Sequence, residues 1–568
     1  MGSSTRVRSE NTAQNDAITL FVQSARKVRP GFDPSPGELE QIEDICQIVQ
    51  GMPLAIELAA AWLHILNVDE ISGELEKGFD ILATEVRDAP ERHRSIQAVF
   101  NHSWSMLAQT EREIFMLLSV FRGGFTREAA QQVSGASLKQ LAGLVNKSLL
   151  SRDPDSSRLE VHELLRQYAQ ERLEETPQAC VSAQETHAAY YAEFMGERWQ
   201  HLKGKRQILA LAEVEADIEN VRAAWRYYAD YGNASQLWLF MKSLWQVYWI
   251  RGWNHAGMEL FVQAARALQG QDDDEESATV RAVAMAFQGY FMAWLDLADQ
   301  GYEMAEESVA ILGELDHPEA LVLAYDSMGL NAYMLGWYTE EIKASNKMLK
   351  TVAEIDDKWL VAFTYYAVSM GALLKEDYPE ARRLVESNLK LNEEIGDVIG
   401  STMPLIVLGH AASPFREHEQ SRGYYLRCLK ISGETGFQYG LQTSTKYLGK
   451  VTLSMGDIEE AENYLLQCLM MTKEIGFVRD IINLLYEFAR LRVAQGNSEQ
   501  AAELLALVIQ HPASHQSRMH EGRIRDSARQ LLADIEDKLP TATFTAAVER
   551  GGQFELDEVV EDLIGSKR

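Results

Sequence analysis

Residues 301 to 510 repeat every forty positions, and the register holds without a gap. Gly336, Glu376, Arg416, Gly456 and Gly496 share one column. Glu341, Ala381, Ser421, Ala461 and Ala501 share a second. An apolar column runs Val309, Leu349, Leu389, Leu429, Leu469, Ile509, and an acidic one runs Glu314, Glu354, Glu394, Glu434, Glu474. Each unit reads as two amphipathic helices joined by a short turn, with LGKVTLSMGDIEEAENYLLQCLMMTKEIGF as the cleanest copy. One such hairpin cannot bury its own apolar face, so units must stack and share a continuous core. Cys428 and Cys468 stand in the column of Met348 and read as small core residues, not as a metal pair. The acidic column reads as the end of each second helix, with a recognition stripe along the solenoid as the alternative.

This pattern resembles tetratricopeptide repeats in a forty-residue form, over about residues 280 to 510. Ahead of it, VRAAWRYYADYGNASQLWLFMKSLWQVYWIRGW carries Trp225, Trp238, Trp245, Trp249 and Trp253. Those rings read as a helix-packing core or as an aromatic-lined pocket for a ligand or partner. QGQDDDEESATV, residues 269 to 280, reads as a solvated acidic linker at a domain boundary. Residues 92 to 175 give helices, a Gly-Gly turn and a short hairpin near Asp153 to Ser157, the outline of a winged helix. That stretch holds eleven Lys or Arg against ten Asp or Glu, and its candidate recognition helix, Ser137 to Leu150, offers only Lys139 and Lys147. Phosphate contact needs more positive charge than that. A structural winged helix is therefore expected. The whole chain, with a net charge of −30, is a poor nucleic-acid binder.

Gly51-Met52-Pro53-Leu54, LSVFRGGF, LEVHELLRQYAQERL, EADIENVRAAW and then forty-residue repeats carrying EIGD or EIGF follow one another in order. In that order they resemble the STAND class of signal-transduction NTPases, and more narrowly the large bacterial transcriptional regulators with a tetratricopeptide sensor. The resemblance implies that Pro53 packs against an adenine. It also implies that His162, in the Val161-His162-Glu163 stretch, meets a phosphate of bound nucleotide. An imidazole N–H can make such a bond. No phosphate loop accompanies these residues. Gly204-Lys205 is followed by Arg206 and Gly449-Lys450 by Val451, where Ser or Thr is required, and neither has the earlier glycine. No Walker B strand is found either. The chain therefore reads as the part of such a switch that follows the ATPase core, with no enzymatic activity and no cofactor of its own. ADP or ATP would enter only with a core supplied in cis or in trans.

The expected fold is mostly α: a helical subdomain and winged helix, then an α-α superhelix. The expected divisions are residues 1–85, a remnant helical subdomain; 86–176, the winged helix; 177–270, an aromatic bridging domain; 280–540, the solenoid; and 541–568, an acidic tail. Four cysteines without a CxxC pair, no secretory leader and no membrane-length apolar run point to the cytoplasm. His511, His515 and His520 read as loop residues because Pro512 interrupts them and no Cys or carboxylate ligands stand near. No metal is expected. The expected function is a sensor whose solenoid binds a protein or small-molecule inducer and whose winged helix relays the state. A free-standing repeat scaffold is the first alternative and a DNA-binding winged-helix regulator the second.

Overall fold

The computed structural model describes residues 17–26, 29, 31–49, 56, 59–60, 62–64, 66–77, 104, 107–147, 149–153, 156–271, 274–475, 478–515, 518–519 and 522–565. The chain divides into two compact units, Met1–Thr186 and His187–Arg568. Helix dominates both.

In the first unit, α1 (Pro36–Ile48) opens with a capping box between Ser35 and Glu38 and packs beside α2 (Val68–Lys77). Three helices follow: α3 (Gln109–Leu118), α4 (Arg127–Ser134) and α5 (Leu138–Asn146). Thr126 caps α4, and Ser137 with Gln140 boxes the start of α5. Strands β1 (Ser151–Arg152) and β2 (Leu159–Glu160) then pair antiparallel, and Phe125 joins Leu159 through two backbone bonds of 2.8 and 2.9 Å. Helix α6 (Glu163–Glu174) closes the motif against α3. Helices with a three-segment β-wing are the winged-helix outline expected for this stretch.

The second unit is a solenoid of antiparallel helix pairs. Helix α7 (Pro177–Leu202) leads into α8 (Gln207–Ala216), α9 (Ile218–Tyr231), α10 (Ala234–Arg251) and α11 (Asn254–Ala267). Six pairs in the forty-residue register follow. They are α12 (Glu275–Ala293) with α13 (Ala298–Leu312), α14 (Pro318–Leu335) with α15 (Tyr338–Val352), and α16 (Lys358–Leu374) with α17 (Tyr378–Ile395). Then come α18 (Thr402–Ala412) with α19 (His418–Thr435), α20 (Gln438–Met455) with α21 (Ile458–Ile475), and α22 (Val478–Ala494) with α23 (Ser498–Gln510). The Met348, Cys428 and Cys468 column is fully buried in the seam, whereas Leu349 in the next column is 36% exposed. The acidic column is exposed at the second-helix ends throughout.

Two expectations are corrected. The expected linker at 269–280 gives way to helix: Asp274 caps α12, and Ser277 to Val280 are already buried in its first turns against α11. The acidic tail expected at 541–568 is helical and packed over residues 541–565. Beyond α24 (Ile524–Glu536), helices α25 (Thr541–Gly551) and α26 (Leu556–Gly565) fold back on the last two pairs, burying Ala547, Val560 and Leu563. Arg550 reaches Glu499 at 2.5 Å and Glu503 at 2.7 Å on α23.

The glycine column explains itself. Gly336, Glu376, Arg416, Gly456 and Gly496, together with Asp296 one period earlier, all have positive φ, from 58 to 91°. Each ends the first helix of its pair in the left-handed conformation that satisfies the last carbonyls. Asp296, Glu376 and Arg416 bear the steric cost of a Cβ there, about 1–2 kcal/mol each. Arg416→Gly is expected to stabilise the protein by about 1 kcal/mol, since Arg416 is exposed. Gly456→Val, with open space around it, is expected to destabilise by a similar amount. Urea midpoints of the two variants check both signs.

Candidate functional site

The superhelix closes on itself. Lys203 meets Asp357 at 2.6 Å, Gln207 donates to Asp397 at 2.8 Å, Arg251 donates to the Thr435 carbonyl at 2.6 Å, and Arg479 meets Asp296 at 2.5 Å. Asp397 is the most heavily bonded of these groups. It also accepts from the Trp359 indole at 3.0 Å and the Gly400 amide at 2.7 Å, while burial pushes its pKa up against those donors. The Gly204-Lys205 pair packs against Ile395 and Gly396 in this closure.

Inside the closed turn lies a cavity with about 130 Å³ of water-accessible space. Its walls come from α10, α12, α14, α15, α16, α17, the 397–400 segment, α18 and α20. Most of the wall is aromatic or thioether: Trp359, Phe363 and Met370 from α16, Tyr333 and Met334 from α14, Tyr439 from α20. Of the five tryptophans marked by the sequence, the structure brings two to the cavity. Trp245 stacks on Phe287 at 5.2 Å and Trp249 stands one turn on, 6.3 Å away. Trp225 is core, wedged edge-on against Phe240 and Phe261. Trp238 packs against His317 with the Lys242 ammonium above it, and Trp253 lies against Tyr248 beneath Arg222.

The polar groups in this wall are poorly satisfied. The indole N–H groups of Trp245 and Trp249 and the Gln246 Oε1 are buried without a hydrogen-bonding partner in the protein. Two carboxylates, Asp326 and Glu341, face the same space. Glu341 is 5% exposed; its Oε1 accepts from Ser345 at 3.0 Å while Oε2 has no partner. Burial raises its pKa to about 7, against the pull of the Ser345 hydroxyl and the more distant Lys375. Burial, with the Glu341 charge beside it, raises Asp326 to about 7 as well. Buried polar atoms without partners are few in native proteins, and a cluster of them on one cavity needs a reason.

Sequence reading passed over both carboxylates, although one carried a signal. Glu341 stands in a column otherwise filled by Ala381, Ser421, Ala461 and Ala501, all buried. A glutamate at a position that packs two helices together is anomalous. Gly371 makes the room: a Cβ there would lie 3.3 Å from both Glu341 Oε2 and the Ser345 hydroxyl.

The other predicted residues fall elsewhere. Pro53 lies outside the described residues. His162 is half-buried just ahead of α6, where burial lowers its pKa and Glu163 pulls the other way. Of the two lysines near α5, Lys147 is tied to Glu111 at 2.6 Å and Lys139 is exposed. His511 follows α23 directly and Pro512–His515 form a short 3-10 turn; the side chains of His515 and His520 lie outside the described residues. Among the described residues no cluster of His, Cys, Asp or Glu could hold a metal. No described helix is long and apolar enough to cross a membrane. A second cleft, about 420 Å³, opens near His410, Tyr447 and Lys450. Lys450 and Arg490 of its wall both pair with the buried Glu487, at 3.2 and 2.7 Å, so these charges compensate one another.

No family model matches the chain. A Mycobacterium tuberculosis protein named "Putative HTH-type transcriptional regulator" is 30% identical over 368 residues, covering 62% of this chain and 41% of that protein. An uncharacterized M. tuberculosis protein is 34% identical over 175 residues, 29% of this chain and 44% of the other. The chain thus spans less than half the length of the curated relatives it matches. Among solved structures, a STAND protein with a tetratricopeptide repeat sensor from Pyrococcus horikoshii aligns over 98% of this chain and 74% of its own, at 15% identity and a TM-score of 0.49. A Rap protein complexed with Competence and Sporulation Factor aligns over 61% of this chain and 97% of its own, at 12% identity and a TM-score of 0.40.

Glu341 fixes the sign of one pH effect. Its carboxyl holds a proton in the fold up to about pH 7 but only to about 4.5 when unfolded, so the fold loses stability as pH rises between those values. Asp326, Tyr333 and Lys375 are the titratable groups that sense it. Glu341→Gln, which keeps the Ser345 contact, is expected to stabilise by about 3 kcal/mol near pH 8 and by nothing near pH 4. Melting curves of both proteins across that range give the comparison.

Proposed function

We propose that this chain is the sensor part of a transcriptional regulator of the STAND type, and that its inducer binds inside the closed turn of the solenoid. One observation carries the reading: the partnerless polar atoms of Trp245, Trp249, Gln246 and Glu341 converge on a single aromatic-walled cavity. Small-molecule sites have this make-up, a largely apolar wall with a few placed polar groups. The name of the mycobacterial relative and the motif order supply the regulatory context. The winged helix relays the bound state instead of reading DNA, in keeping with Lys147 being engaged by Glu111. An ATPase core, in cis or in trans, would receive that relay. The chain itself carries out no nucleotide hydrolysis, in line with its lack of a phosphate loop, and works in the cytoplasm.

The test is a thermal-shift screen of the full chain against a metabolite library, with tryptophan emission followed in parallel. A true inducer is expected to raise the melting temperature by several degrees, as mass action requires, and to shift the emission of Trp245 and Trp249. Both responses should vanish in Ala367→Trp, which fills the cavity, provided that variant melts normally on its own. Hits that act equally on Ala367→Trp would move the inducer elsewhere. ATP turnover above the buffer blank would remove the non-catalytic part of the reading.

A further inference from the structure

The charges around the cavity narrow the ligand, given the reading of that cavity as the inducer site. No Lys, Arg or His is among its lining residues, and its ionisable acids are Asp326, Glu341 and Asp397. Asp397 is satisfied by Gln207, Trp359 and Gly400. Glu341 leaves Oε2 buried and bare, and Asp326, half-buried, lines the cavity with no side-chain hydrogen bond or ion pair to another described residue.

We propose that the cavity takes a ligand carrying an ammonium group on an apolar body, the ammonium seated between Asp326 and Glu341 and the body among the rings of Trp245, Trp359, Phe363 and Tyr366.

Each part of that ligand answers a feature of the wall. A carboxylate can only accept, so an N–H donor of positive charge satisfies both acids at once. In a site shielded from water, the attraction is several times stronger than at the surface. The flanking rings add to it, because their faces are negative and draw cations. A carboxylate or phosphate ligand would meet two like charges with no counter-ion. A bare metal ion would meet two carboxylates set among rings, where calcium takes six to eight oxygens. Burial that raises both acids to about 7 fits the same picture, since the arriving cation compensates the charge that the fold alone disfavours.

Three probes of one shape test this on the full chain: phenethylamine, 2-phenylethanol and phenylacetate, measured by titration calorimetry near pH 8. The amine is expected to bind about tenfold or more tighter than the alcohol, and the acid not to bind. Asp326→Asn and Glu341→Gln should each remove the amine's advantage over the alcohol. A melting curve of each variant shows that the fold persists. Phe-Gly amide, run beside phenethylamine, separates a peptide N-terminus from a free amine; binding of either supports the ammonium. Equal binding of amine and alcohol, or preference for the acid, overturns the proposal and leaves the cavity as an inducer site of another chemistry. Failure of both amines at millimolar concentration overturns it as well, and the metabolite screen judges the sensor reading separately.

Discussion

Closure of the superhelix is the constraint on which the rest depends. Repeats that contact only their neighbours make an open ribbon with a groove. Here Asp397 gathers Gln207, Trp359 and Gly400, while Arg479 reaches back to Asp296, so segments more than 180 residues apart are held together. Those bonds turn the inner face of the ribbon into an enclosed space.

That environment works against the stability of the fold. A helix seam is best filled by Ala, as at residues 381, 461 and 501, and one period away the same seam holds a glutamate. Gly371 removes a side chain to admit it. Destabilising groups that the surrounding structure over-determines are a mark of sites kept for what they bind. The left-handed Asp296 is a second case in the same unit, where an unfavourable backbone carries the carboxylate that Arg479 needs.

The fold was largely legible in the sequence, because a forty-residue register writes helix, turn and seam into fixed columns. The left-handed column, the buried Cys428 and Cys468 and the β-wing around Leu159 all follow from local pattern. The acidic stretch at 269–280 misled because charge alone does not separate a linker from a helix cap; Asp274 is the cap. The site was legible only in part. Aromatic density located Trp245 and Trp249, but spacing along one helix cannot say which of five rings faces a cavity formed by helices one superhelical turn away. Asp326 had no local signal at all, since its column also holds Tyr366, Ile406, Lys446 and Tyr486. Glu341 did have one, in the smallness of its column-mates.

Closure also changes how such a protein comes apart. An open solenoid frays from its ends, one repeat at a time, and folds quickly because its contacts are local. The bonds from Lys203, Gln207 and Arg251 to residues 357, 397 and 435 tie early repeats to late ones. Any repeat between them can leave only by breaking the loop, so the middle of the solenoid melts as one cooperative block. Its assembly must wait until the last partner, Arg479, has been synthesised and placed.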